Sequence, residues 1–302
     1  MTRILVGFDE GEESDDALSL ANALAESEAA QLDVAVALQY APVPIDVDVY
    51  DRALADHFDE IFAQAERQLG GVEFGRRELR DSSAARALTE LAESENPDLL
   101  VIGSTHRGAV GRVYPGSVGE RLLNGAPCPV AVAPKGFASR ERFALSRIGV
   151  GYDGTEESRL ALREAESLAE RSGATLRLIA AVPYMNPMPA RIGHTEVGFG
   201  DLLETYFRKV LDSGVSTVSD AARIESVMKD GDPAEVLAAQ GAEVDLLVLG
   251  SRGYGPIMRA LLGGVSAEVM RTAPCPVVVV PRSSAEGTDD SRSRAAATEA
   301  TS

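Results

Sequence analysis

The sequence predicts an α/β fold made of two tandem, doubly wound domains, each built on a five-stranded parallel sheet. Three observations carry that prediction. The chain of 302 residues repeats itself: LLVIGSTHRGAVGRVYPGSVGERLLNGAPCPVAVAP at 99–134 recurs as LLVLGSRGYGPIMRALLGGVSAEVMRTAPCPVVVVP at 246–281. Strand-like apolar runs alternate with stretches of helical period. The runs are continuously apolar, the mark of strands covered on both faces. A repeat this long exceeds a solenoid unit, so it represents two copies of a whole domain.

The elements follow in order. Ile4–Phe8 is a buried strand. Ser14 is placed as the N-cap of a helix through Ser27, with Ala17, Leu20, Ala21 and Leu24 on one face. Leu32–Leu38 is a second strand, and Ala41–Tyr50, with its prolines, a loop. Asp51–Leu69 is a long amphipathic helix, Val72–Leu79 a polar third strand, and Ser82–Glu95 a helix that stops before Asn96-Pro97. Leu99–Gly103 is the fourth strand, Val118–Leu123 a short helix and Pro129–Ala133 the fifth strand. The second copy repeats this with strands at 147–152, 175–182, 223–228, 246–250 and 276–280, and helices at 157–172, 201–213, 233–241 and 265–271. A long loop is expected at 183–200. The domains are drawn as 1–135 and 147–282, with a linker at 136–146 and a disordered tail at 283–302.

The net charge of −18 argues against nonspecific binding to nucleic acid or to an anionic membrane, since like charges repel. The only lysines are Lys135, Lys209 and Lys229, a composition associated with salt-adapted cytoplasm as well as with merely acidic proteins. No stretch approaches the length of a membrane span, and residue 1 leads straight into a strand, so a cytoplasmic protein is expected. Cys128 and Cys275 occupy matching Pro-Cys-Pro sites and read as small core residues. His57, His106 and His194 lack partners at metal-ligand spacing.

In open parallel sheets, ligands sit at the carboxyl ends of the strands. Two features of each copy fall there. One is the acid after strand one, Asp9 or Asp153. The other is the Gly-rich loop after strand four, which leads into a helix. Glycine lets backbone approach a ligand or reach positive φ, and exposed N–H groups with the helix dipole form an anion cradle. The arrangement suits a phosphate at the loop and a ribose at the Asp. Equally, such a loop can simply close a turn and such an Asp can simply cap a helix.

Each copy resembles a universal stress protein domain. The likeness rests on Val-Gly-Phe-Asp and Val-Gly-Tyr-Asp at the first strand, Pro-Asp-Leu-Leu-Val-Ile-Gly-Ser and Val-Asp-Leu-Leu-Val-Leu-Gly-Ser at the fourth, and Ala-Pro-Cys-Pro-Val at the fifth. It implies a Rossmann-like sheet of the adenine nucleotide alpha hydrolase type. ATP-binding members carry Gly, two residues, Gly, nine residues, then Gly-Ser or Gly-Thr. The second copy keeps Gly250, Gly253 and Gly263 but has Gly264 in place of the hydroxyl residue; the first keeps Gly103, Gly116 and Ser117 but has His106 in place of the middle glycine. By this resemblance Asp153 sits by the adenosine, Val182 touches adenine, and Gly250, Gly253, Gly263, Gly264 and Val265 surround the phosphates. The counterparts are Asp9, Gln39, Gly103, His106, Gly116, Ser117 and Val118. ATP, with Mg²⁺, is the implied ligand, mainly in the second copy. Arg107, Arg112, Arg252 and Arg259 are either phosphate partners or solvated cations. Family domains pair through the fifth strand, which implies an internal pseudo-dimer with Val130–Ala133 near Val277–Val280, no Cys128–Cys275 disulfide, and room for a further homodimer.

No catalytic constellation is visible. There is no Gly-Lys-Ser/Thr phosphate loop, no Gly-x-Ser-x-Gly elbow and no Ser-Gly-Gly loop of an ATP pyrophosphatase after strand one. A non-catalytic stress regulator is expected, with a ligand-free interaction scaffold as the alternative.

Overall fold

The computed structural model describes residues 2–38, 47–105, 110–140, 143–184, 190–192, 195–197, 199–219, 222–251 and 263–282, without the side chains of 47, 190–192, 195–197 and 199. In the first half the elements are β1 (Arg3–Phe8), α1 (Glu12–Glu28), β2 (Gln31–Leu38), α2 (Val47–Leu69), β3 (Gly75–Arg80), α3 (Ala84–Glu95), β4 (Leu99–Gly103), α4 (Ser117–Leu123) and β5 (Val130–Ala133). The second half contains β6 (Arg147–Gly151), α5 (Glu156–Ser172), β7 (Thr175–Val182), β8 (Ala190–Ile192), β9 (Thr195–Val197) and α6 (Phe199–Thr217). It ends with β10 (Ile224–Asp230), α7 (Pro233–Gln240), β11 (Leu246–Gly250), α8 (Gly264–Thr272) and β12 (Val277–Val280).

Ten strands form one sheet in the order β10-β7-β6-β11-β12-β5-β4-β1-β2-β3, and β8 and β9 pair antiparallel apart from it. Within each half the pairings of this sheet are parallel. Between the halves β12 runs antiparallel to β5, with Val278 opposite Ala131. Each half is therefore doubly wound, and its strand order turns between β1 and β4, or between β6 and β11. Alternate residues of β1 show the layering: Ile4, Val6 and Phe8 join the core under α1, α2, α5 and α6, whereas Leu5 joins the core under α3, α4, α7 and α8.

Some expectations are corrected. Ser14 is not an N-cap: α1 begins at Glu12, with Gly11 as cap. The Asp9 carboxylate accepts from the Gly11 N–H at 2.8 Å, and the buried Ser14 hydroxyl donates to the carbonyls of Asp9 and Gly11. The first turn is thus tied from inside. The expected loop at 41–50 ends early, because α2 starts at Val47, and the expected loop at 183–200 holds the β8–β9 hairpin and the start of α6. Residues 39–46 and the expected tail at 283–302 lie outside the described residues.

Asp16 illustrates a contact that only folding creates. It is buried in α1, and its carboxylate accepts from the backbone N–H of Gly136 at 2.7 Å and of Ala138 at 2.8 Å, pinning the segment after β5. Asp16→Ala is expected to lower stability by about 1–2 kcal/mol, because one donor would return to water and the other stays partly covered. Urea unfolding followed by circular dichroism checks this; an unchanged midpoint would show that the segment is held by other contacts.

Between the halves, α1 packs on α5. Glu28, with its side chain 1% exposed, accepts from Arg171 at 2.6 Å. No helix among the described residues is long and apolar enough to cross a membrane.

Candidate functional site

Each half carries a pocket at the carboxyl ends of its central strands, where the strand order turns. The first has a volume of about 380 Å³ and is bordered by Asp9, Ala37, Gly103, Gly116, Ser117 and Val118. The second, about 290 Å³, is bordered by Asp153, Ala181, Pro183, Gly250, Gly263 and Val265. Both are in the size range of small-ligand sites. His106 and Gly253 lie outside the described residues, as do Gln39, Arg107, Arg252 and Arg259.

The two acids are held alike. Asp153 accepts from the Thr155 N–H at 3.0 Å and from its hydroxyl at 2.6 Å through one carboxylate oxygen, as Asp9 does from Gly11. Among the described residues the other oxygen of each carboxylate has no partner. Thr155 in turn caps α5, its side chain accepting from the Ser158 N–H. The acids are thereby fixed at the pocket edge by their own turns.

Two of the glycines meet a packing requirement that the sequence does not show. A Cβ on Gly103 would lie 1.9 Å from the Glu13 carbonyl oxygen, and one on Gly250 would lie 2.5 Å from that of Glu157. These positions are glycine because the first turn of α1 or α5 crosses the strand end at backbone contact. Neither has positive φ. Gly116 and Gly263 are the N-caps of α4 and α8, with φ of −82° and −66°. They too hold ordinary backbone. Gly264, the first residue of α8, has nothing among the described residues within 4 Å of an added Cβ.

Val182 is placed differently from its neighbours. It is buried but does not border the pocket; its neighbours Ala181 and Pro183 do. Side chains alternate along a strand, so a single position decides the face. The registers also pair Gly7 with Ala35 and Gly151 with Ile179, which makes Leu38, not Gln39, the counterpart of Val182. Sequence reasoning missed Phe207 of α6 and Leu237 of α7, which wall the second pocket, and Leu88 of α3 in the first. Strand periodicity carried the signal for Ala181. None was available for Phe207, which reaches the site from a separate helix.

Asp9 and Glu13 border the first pocket, Asp153 and Glu157 the second, and no described bordering residue is Lys or Arg. Among the described residues, attraction for an anion comes from backbone N–H groups at the helix starts. Arg112 is not at the loop's phosphate side: its guanidinium donates to the Thr272 carbonyl, at the end of α8 in the other half. Burial pushes the thiols of Cys128 and Cys275 up to about 12, so both are inert at neutral pH. Among the described residues no three His, Cys, Asp or Glu side chains are grouped to hold a metal.

The comparisons agree with this architecture. A universal stress protein of Mycobacterium tuberculosis (strain H37Rv) is 28% identical over 292 residues, covering 92% of this chain and 99% of its own length. Another from the same strain is 31% identical over 216 residues, 69% of each chain. The crystal structure of a universal stress protein from Archaeoglobus fulgidus shares the fold with a TM-score of 0.67 at 20% identity, over 93% of this chain and 98% of that one. The sequence model of the universal stress protein family matches twice, over 1–134 and 145–281, the same two halves that the sheet joins. With both halves matched in full, the chain belongs to the universal stress protein family as a tandem of two such domains.

Proposed function

We propose that the chain is a regulatory binder of an adenine nucleotide, taking ATP chiefly in its second half and acting without catalysis. The observation that carries this reading is the position of the second pocket. It opens at the carboxyl ends of β6, β7 and β11, with the start of α8 at one end and an apolar slot at the other. Phosphate oxygens would meet the N–H groups of Gly263, Gly264 and Val265. The ribose would meet the unpartnered oxygen of Asp153. The base would enter the slot beside Ala181, Pro183 and Leu237. Mg²⁺ would ride on the nucleotide, held by its phosphates, since the described residues offer no grouped ligands.

The net charge of −18 disfavours nonspecific binding to nucleic acid or to an anionic membrane. The internal β5–β12 pairing covers one sheet edge of each half and leaves other faces for a second chain.

Calorimetric titration of Mg²⁺–ATP into the whole chain, at low and high salt, tests the proposal. Saturable heat at one or two sites per chain is the expected result. No heat at either salt would overturn it and favour a ligand-free interaction scaffold. Gly264→Ser adds a sharper check. The site has room for the side chain, and the first half carries Ser117 at the matching position. One added hydroxyl hydrogen bond, roughly 1 kcal/mol, is expected to tighten ATP binding about fivefold.

A further inference from the structure

The two pockets share their acid, glycines and helix start, yet they differ in one wall. The second is bounded by Phe207 of α6, whereas α2, the matching helix, supplies no described residue to the first. Phe207 packs on the core beneath α5 and α6; Leu237, Ile179 and Leu249 belong to the core on the opposite sheet face. The slot is therefore flanked from both faces of the sheet, by an aromatic ring on one side and aliphatic side chains on the other. One turn further along α6, Val210 lies within 3.0 Å of where a Gly154 Cβ would sit, which ties this stretch of helix to the turn that holds Asp153.

The ring is also braced. Tyr206 meets Phe207 edge-on, with centroids 5.4 Å apart and planes at 83°. Tyr206 is 56% exposed, and Tyr184, just past the end of β7, is 81% exposed. At the start of α8 the second half has Gly264 where the first half has Ser117.

From this contrast we infer that Phe207 is the stacking surface for the ligand's heterocyclic base, so that the second half recognises its ligand through the base. The inference rests on the nucleotide reading above. The ring's face is large, its position is fixed by Tyr206 and by the α6 packing, and every nucleobase offers a π-face to it. The chemical class required is a nucleotide with an intact aromatic base; a sugar phosphate alone would forgo this contact.

Two variants and two ligands test it. Calorimetry compares ATP with ribose 5-triphosphate, which lacks the base, on the native chain and on Phe207→Leu. Losing base stacking is expected to weaken ATP about tenfold at the second-half site and to leave ribose 5-triphosphate within about twofold. The chain has no tryptophan, so Phe207→Trp supplies a single local reporter. ATP is expected to bind this variant with near-native affinity and to quench the indole, while ribose 5-triphosphate leaves the emission unchanged. The inference is overturned if Phe207→Leu binds ATP as tightly as the native chain, or if both ligands weaken equally, as a merely structural role would give. An indole that ATP leaves unquenched overturns it as well, since the ligand would then be held elsewhere. No binding of ATP to the native chain overturns the nucleotide reading and this inference together, an outcome distinct from the others.

Discussion

Gly103→Ala is expected to destabilise the protein by about 3 kcal/mol, the size of effect reserved for substitutions that overpack a rigid contact. The added methyl carbon would lie 1.9 Å from the Glu13 carbonyl oxygen and 2.6 Å from its carbon, both backbone atoms. A flexible side chain could swing away; a helix backbone cannot. Relief requires α1 to shift off the end of β4, which would pull Asp9 and its turn out of the pocket edge. Chemical unfolding measures the loss, and Gly264→Ala, with open space around it, is the matched control expected near zero. A loss below about 1 kcal/mol at Gly103 would mean that the first turn of α1 yields easily, and the account of why these positions are glycine would fail.

Glu164→Gln is expected to stabilise the protein at alkaline pH and to leave it nearly unchanged at acid pH. Burial between α5 and the first half pushes the Glu164 carboxyl from an ordinary 4.5 to about 7; Asp98 and Glu28 add to this and Arg171 opposes it. Burial likewise raises Glu28 against the pull of Arg171, so the carboxylates share one cation. A raised carboxyl pKa means that the folded chain holds the proton more tightly than the unfolded one. That contribution is fully present below about pH 4.5 and is lost as pH rises through about 7. The full shift corresponds to roughly 3 kcal/mol, and partial solvent contact reduces it to about 2 kcal/mol. Glutamine cannot ionise, so the variant should gain that amount at pH 8 and little at pH 5. Unfolding free energies measured across this range decide the matter; a difference that does not vary with pH would remove Glu164 as its source.

The order of strands and helices was legible in the sequence because hydrophobic period and turn residues are local signals. The apolar runs at Leu99–Gly103 and Leu246–Gly250 read as buried strands and are strands with the same bounds. Helix starts were less legible. Ser14 carries the right chemistry for a cap, but Asp9 closes the turn earlier and leaves the Ser14 hydroxyl inside it. The acids and glycines that border the pockets were marked in the sequence, but not the packing that Gly103 and Gly250 serve. Their requirement comes from the helix that returns across the strand end, and that crossing is a long-range fact.

What the amino-acid order determined by itself is the doubled α/β domain and the strand ends on which a site can form, since both follow from period, repeat and residue type. Only the tertiary structure decided which side chains meet there. Ala181 rather than Val182 faces the second pocket because strand parity depends on register with β6. Phe207 reaches it because α6 packs back over the sheet, and Arg112 leaves the first for the end of α8 because β5 and β12 bring the halves together. Contacts between residues distant along the chain depend on how layers pack, and no local pattern encodes that geometry.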